Sequence, residues 1–156
     1  MKKHFFLISP LIVLLHPFTY AQGVWKQKND FGGPARLLSV SFVIGNKAYV
    51  GTGADGKFKD LWEYNPANDS WSQKTDFPAS GRRYAAGFSI GNNGYIGAGD
   101  NGLNVQDFYA FNSTLNSWQK KKDFGGGPRY APVGFAIGSK GYMGTGFDAK
   151  IGRAHV

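Results

Sequence analysis

The chain has 156 residues and no cysteine. That absence excludes disulfides, thiolate chemistry and anchoring through a lipid-modified cysteine. Histidine is almost as scarce: His4 and His16 lie near one end and His155 near the other. Everything between them therefore cannot build a Ser-His-Asp triad, a Cys-His dyad or a His/Cys zinc site. Calcium held by oxygen ligands is left open. Glutamate occurs once, as Glu63. Long apolar runs are also missing: Phe5 to Leu15, broken by Ser9 and Pro10, is shorter than the ~20 residues that a membrane-spanning helix needs.

That short run has a different meaning. Two lysines precede it, and Thr19-Tyr20-Ala21 follows with small residues where a signal peptidase reads. Residues 1–21 are expected to be a signal peptide, cleaved after Ala21, which places the mature protein in a secreted or periplasmic setting with no membrane attachment. With no disulfides after export, packing alone must hold the fold. At the other end, Ile151 to Val156 resembles a translated sequencing-adapter read-through, and 151–156 is set aside as a non-native tail.

The formal charge of +8 falls to +6 when Lys2 and Lys3 leave with the signal. A basic balance can mark a nucleic-acid surface. Here the lysines cluster just after tryptophans: Lys26 and Lys28, Lys74, then Lys120, Lys121 and Lys122. That is one recurring position, expected on an outer edge strand, where lysine blocks sheet-to-sheet pairing. Stacked aromatics of the RNA-binding type are absent, so no nucleic-acid partner is expected.

What the sequence has in abundance is a repeat. Trp25, Trp71 and Trp118 are separated by 46 and 47 residues. Phe31, Phe77 and Phe124 keep those offsets, as do Arg36, Arg82 and Arg129, then Ile44, Ile90 and Ile137, then Tyr49, Tyr95 and Tyr142. A period of this size marks a solenoid or a propeller. Within a unit, Val40, Phe42 and Ile44 alternate with Ser41 and Val43, which is strand periodicity. Ala86, Phe88 and Ile90, and Val133, Phe135 and Ile137, repeat it. The intervening residues are small, so each sheet is bulky on one face and shallow on the other. That asymmetry suits sheets stacked face to face around an axis.

The rest of a unit reads as three more strands. Gly45-Asn46, Gly91-Asn92 and Gly138-Ser139 are two-residue hairpin signals. A second strand ends in Gly51-Thr52-Gly53, Gly97-Ala98-Gly99 or Gly144-Thr145-Gly146. A variable loop (Ala54 to Lys59, Asp100 to Val105) leads to a third strand at Leu61 to Tyr64 and Phe108 to Phe111. After a turn, the fourth strand begins at each tryptophan.

The order of these parts, with "IGNKAYVGTG", "DLWEYNP" and "DSW" in unit one, resembles the Kelch repeat of β-propellers, of the secreted bacterial-type Kelch and galactose-oxidase-like kind. The resemblance covers about residues 24 to 148. One departure is that the family's adjacent glycine pair stands here as Gly-x-Gly. The Gly-His and Trp-Asp signature of the rival WD40 propeller is missing. The expected fold is all-β: an incomplete Kelch-type β-propeller in residues 22–150. It comprises a closing outer strand at Trp25, two full four-stranded blades and part of a third (units 36–74, 82–121 and 129–148). Propellers have four to eight blades. The chain is accordingly expected to be the N-terminal piece of a longer protein, with the remaining blades as partners. Alone, it is expected to aggregate or form an open, labile stack.

The resemblance also implies where a ligand binds: the loops entering the innermost strand and those after the second strand share one rim. On it fall Arg36, Arg82, Arg83, Tyr84, Arg129 and Tyr130, with Asp55, Asp100 and Asp148 in or beside the variable loops. Two roles fit the recurring arginines. They could grip a carboxylate, sulfate or phosphate through their planar fork of donors. Or they serve each unit, by binding a carboxylate such as Asp60 or Asp107. Arg83 and Tyr84 replace Leu37 and Leu38 of unit one and are better candidates for function. "NDS" at Asn68 and "NST" at Asn112 match a glycosylation pattern but fall in turns.

Two functions are expected to compete. One is an exported binding module that recognises a protein or glycan through the rim, without catalysis, cofactor or metal. The other is the N-terminal part of a sugar-modifying enzyme, since Kelch-type propellers include a copper-dependent sugar oxidase and bacterial sialic-acid epimerases. The oxidase needs a cysteine–tyrosine cross-link, and the cysteine is lacking here. For the epimerase, Glu63 lies on a third strand, which leaves Asp55, Asp100 or Asp148 as an acid or base.

Overall fold

The computed structural model describes residues 23–54, 57–148 and 154–155; the expected signal peptide, Asp55 and most of the tail lie outside them. Among the described residues there are eleven strands and no helix. The first sheet runs β1 (Val40–Ile44), β2 (Lys47–Gly51), β3 (Leu61–Asn65), β4 (Ser70–Lys74) in spatial as in chain order. The second repeats it with β5 (Ala86–Ile90), β6 (Asn93–Gly97), β7 (Phe108–Asn112) and β8 (Ser117–Lys121). The third has β9 (Val133–Ile137) and β10 (Lys140–Gly144), with β11 (Ala154–His155) paired to β10. All pairings are antiparallel. The hairpin glycines Gly45, Gly91 and Gly138 all have φ near +60°, which glycine adopts without a Cβ penalty.

β11 lies within the tail set aside on sequence grounds and takes the place beside β10 that β3 and β7 hold beside β2 and β6. Trp71 and Trp118 stand on the outermost strands, β4 and β8, as the period predicts. Residues 23–31, the expected closing strand, form no ladder, and Trp25 is fully exposed. A fourth strand needs a third beside it, and none of the described strands lies there.

Packing follows the predicted asymmetry. β1 lies on β5 and β6, and β5 lies on β9 and β10, so the first strands of the three sheets line a common hub. Val40, Phe42 and Ile44 are almost fully buried against the second sheet. Their room comes from glycine: a Cβ on Gly94 would overlap Cε2 and Cζ of Phe42, and one on Gly87 would overlap Val40. Burying each such large apolar side chain contributes about 1.5–3 kcal/mol.

Connections tie the rims of successive units together. After β4, Phe77 sets its edge against Trp118 at 5.2 Å and Tyr109 at 5.1 Å. Phe31 does the same to Trp71 and Trp62, at 4.9 and 5.9 Å. Thr75 binds Asn116, and Asn29 binds Asp69, through matching hydrogen bonds. The recurring aromatics and polar turn residues thus connect each unit to the sheet that follows it.

Candidate functional site: the rim beside the inner strands

The three recurring arginines are buried and their donors are occupied. Arg36 makes two hydrogen bonds of 2.6 Å to the carboxylate of Asp60 and donates to the carbonyls of Thr52 and Pro34 at 3.1 and 3.2 Å. Arg82, wholly inaccessible, grips Asp107 at 2.5 and 2.8 Å and donates to Ala98 and Ser80 at 3.0 and 3.3 Å. Arg129 pairs with Asp148 at 2.6 Å and donates to Thr145, Gly126 and Gly127. Each guanidinium also lies within about 5 Å of a phenylalanine ring: Phe31 and Phe58, Phe77, and Phe124. These contacts are those of the within-unit role. A ligand on any of these guanidiniums would first have to displace a carboxylate. Burial pushes the Asp60 carboxyl up, but the hydrogen bonds from Arg36 and Trp62 and the Arg36 charge outweigh it and hold it below its ordinary value.

The lone glutamate is equally committed. Glu63 lies on β3 inside the first sheet, where it accepts from Tyr49 Oη at 2.5 Å and from Lys47 at 2.8 Å, with Lys74 at 3.2 Å. Burial raises its pKa, the three donors together outweigh burial, and the net shift is downward. The Tyr49 phenol is driven far up, first by its own burial and then by Glu63. Glu63 is thus a structural anion away from the rim.

The rim itself is built by three isolated bridges that close the entry of each inner strand onto the exit of the second strand: Leu37 with Ala54, Arg83 with Asp100, Tyr130 with Phe147. Each is held by two backbone hydrogen bonds of 2.8–3.2 Å. The scaffold is constant: the next residues, Leu38, Tyr84 and Ala131, all have φ between 54° and 58°. Tyr84 donates its N–H to Leu38, and Ala131 donates to Tyr84, which links the units around the hub. The side chains at the bridges vary, and each pair is chemically matched: apolar with small, cation with anion, aromatic with aromatic.

Here the non-repeated candidates come together. Arg83 is about half exposed and contacts Asp100 Oδ2 at 3.0 and 3.1 Å. Asp100 is held below its ordinary pKa first by the backbone N–H of Gly102, against a smaller opposing effect of burial, and then by Arg83. Tyr84, Tyr130 and Phe147 form a row, with ring centroids 5.4 and 5.5 Å apart. Arg83 lies 5.8 Å from the Tyr84 ring, and Lys57 reaches across to the Asn101 carbonyl at 2.8 Å. Phe147, half exposed, and Lys57 escape sequence reasoning. The signal for Phe147 is its place one residue past the third Gly-x-Gly, matching Ala54 and Asp100. Asn112 spends its side-chain oxygen on the backbone N–H groups of Thr114 and Leu115, as a turn residue does.

A cavity of about 400 Å³ between the second and third sheets, lined by Phe88, Tyr95, Phe108, Phe124 and Tyr142, is a different feature. At the preceding junction the ring of Phe111, 5.8 Å from Tyr49 and backed by Trp118, occupies the corresponding place. The cavity is the outer half of a sheet junction, away from the rim.

Four-stranded antiparallel sheets stacked about a hub, bulky face on shallow face, define blades of a β-propeller. Comparison with solved structures agrees: the structure of YjhT, of β-propeller type, matches 74% of this chain with a TM-score of 0.64 and 21% sequence identity. The match covers 35% of YjhT, so the chain spans about a third of that structure's length. At that identity the likeness shows the fold alone. No family model matches the chain, and no curated protein matches it.

Proposed function

We propose that the chain is part of an exported Kelch-type propeller whose rim recognises a protein or glycan ligand, without catalysis by these blades. The remaining blades of the same full-length protein are proposed to complete the ring. One observation carries this reading: on a constant backbone frame, the side chains at and beside the bridges change from unit to unit, and they place the row Tyr84–Tyr130–Phe147 beside the Arg83–Asp100 pair. Aromatic faces and a planar cation are the groups that stack on sugar rings and hold carboxylates. Secretion follows from the expected signal peptide.

The sugar-modifying enzyme is less well supported. It needs an acid or base facing the ligand, while Glu63 is inside a sheet and Asp100 and Asp148 are each ion-paired with an arginine.

The test is a glycan array, with sialylated and neutral glycans, probed with the chain and with its complete parent ring. A bound glycan class whose signal falls at least tenfold in Arg83→Ala and Tyr130→Ala is the expected result. Undiminished binding by Arg83→Ala/Tyr84→Ala/Tyr130→Ala removes the rim from the proposal. No binding to any glycan or co-exported protein removes the function.

A further inference from the structure

Among the described residues the stack has two open ends, and they differ. At the third sheet, Val133, Phe135 and Ile137 are 57, 49 and 64% exposed, whereas their equivalents Val40, Phe42 and Ile44 are 4–6% exposed. The face is nevertheless already shaped. Phe135 stacks on Tyr142 at 5.4 Å and 14°, as Phe42 does on Tyr49 (5.4 Å, 13°) and Phe88 on Tyr95 (5.2 Å, 15°).

What such a face needs opposite it is visible twice. Phe42 enters the second sheet over Gly94, and Phe88 enters the third over Gly141; a Cβ at either glycine would overlap ring atoms Cε2 and Cζ. Gly87 leaves room for Val40, and a Cβ on Gly134 would come to 3.1 Å from Phe88 Cδ1. The period places Ser41 and Ala48 of the first sheet at these same two positions. Both carry a Cβ, which the first junction excludes at both positions, and the second excludes at Gly141 and admits only tightly at Gly134. Beside them Val43, 57% exposed, stands where the other sheets have Ser89 and Ala136.

We propose that the exposed face of the third sheet docks a further sheet that carries glycine at both positions equivalent to Gly134 and Gly141, and that Ser41 and Ala48 bar a second copy of this chain from that place. The surface continues the two junctions already formed, so the occupant is defined by the same size rule. A head-to-tail fibre is the hazard of a chain whose two ends match. Here the hydroxymethyl of Ser41 and the methyl of Ala48 separate the ends. The sheet next to β1 must accordingly present something smaller than phenylalanine. This rests on packing and is independent of the rim's ligand.

Sedimentation of the full chain over a range of concentrations tests it. Ser41→Gly/Ala48→Gly/Phe135→Ser offers the socket without the knob; the natural chain offers the knob without the socket. Their mixture should form a 1:1 dimer that grows no further. The natural chain with Phe135→Ser should bind at least roughly a hundredfold more weakly, the ratio set by forcing two carbons into a filled space. Absence of the dimer, with the glycine variant folded by circular dichroism, overturns the proposal. Should that variant not fold, the natural chain decides: its mass distribution should be unchanged by Phe135→Ser, and self-association abolished by that change refutes the bar.

Discussion

Replacing Arg82 by methionine separates a scaffold arginine from a binding one. The substitution keeps an unbranched apolar stem that ends level with Nε, and removes the charged guanidinium group. It takes two charge-assisted hydrogen bonds from Asp107, two from the carbonyls of Ala98 and Ser80, and the cation from the face of Phe77. Breaking a buried ion pair from one side costs about 3–5 kcal/mol. Asp107 is 23% exposed and regains some hydration, which places the expected loss near the lower end, about 3 kcal/mol. For a domain of this size that is a fall of roughly 10 °C in the melting midpoint. Arg82→Lys should recover little, because an ammonium cannot span both carboxylate oxygens. The comparison is Arg83→Met, one residue away. Its pair with Asp100 is solvent-exposed and is worth about 0–1 kcal/mol. Urea unfolding followed by tryptophan fluorescence measures both. Equal losses from the two variants, within about 0.5 kcal/mol, would show that burial does not distinguish these arginines and would refute the assignment of one to the fold and the other to the rim.

Acid should weaken the fold. Asp60 and Glu63 are held below their ordinary values of 3.8 and 4.5, so their stabilisation is fully present above about pH 5 and is lost as pH falls through the lowered values; a melting midpoint constant down to pH 3 would contradict this. Gly94→Ala should cost about 1–3 kcal/mol by crowding the Phe42 ring, and Phe42→Leu in the same chain should return part of that loss in a double-mutant cycle. Thr52 is fully buried with no partner for its hydroxyl among the described residues, and the second unit has alanine at that position. Thr52→Ala should therefore be neutral or stabilising by up to about 1 kcal/mol, read from the urea midpoint; a clear loss would mean that the hydroxyl is satisfied in solution.

The period made the scaffold legible because packing imposes the same demand on every unit. Phe42 and Phe88 recur since each fills the next sheet's shallow face, and Trp71 and Trp118 recur since each receives the phenylalanine of the preceding connection. The same logic makes Arg36, Arg82 and Arg129 unlike ligand-binding residues: recurrence reports what the unit needs, and here that is a carboxylate 19 to 25 residues further on. A site must instead be sought where units depart from one another. Arg83 and Tyr84 stand out in this way against Leu37 and Leu38. Phe147 departs in the same way from Ala54 and Asp100, but its place in the aromatic row with Tyr130 shows only once the loops are folded. The pairing of Arg83 with Asp100 depends on how two loops close across 17 residues, a geometry that no spacing rule encodes. Ser41 and Ala48 are departures of the other kind. Neither draws notice as a small residue among small residues, and only the ring of Phe42 lying over Gly94 shows that a single carbon decides what the first sheet can accept.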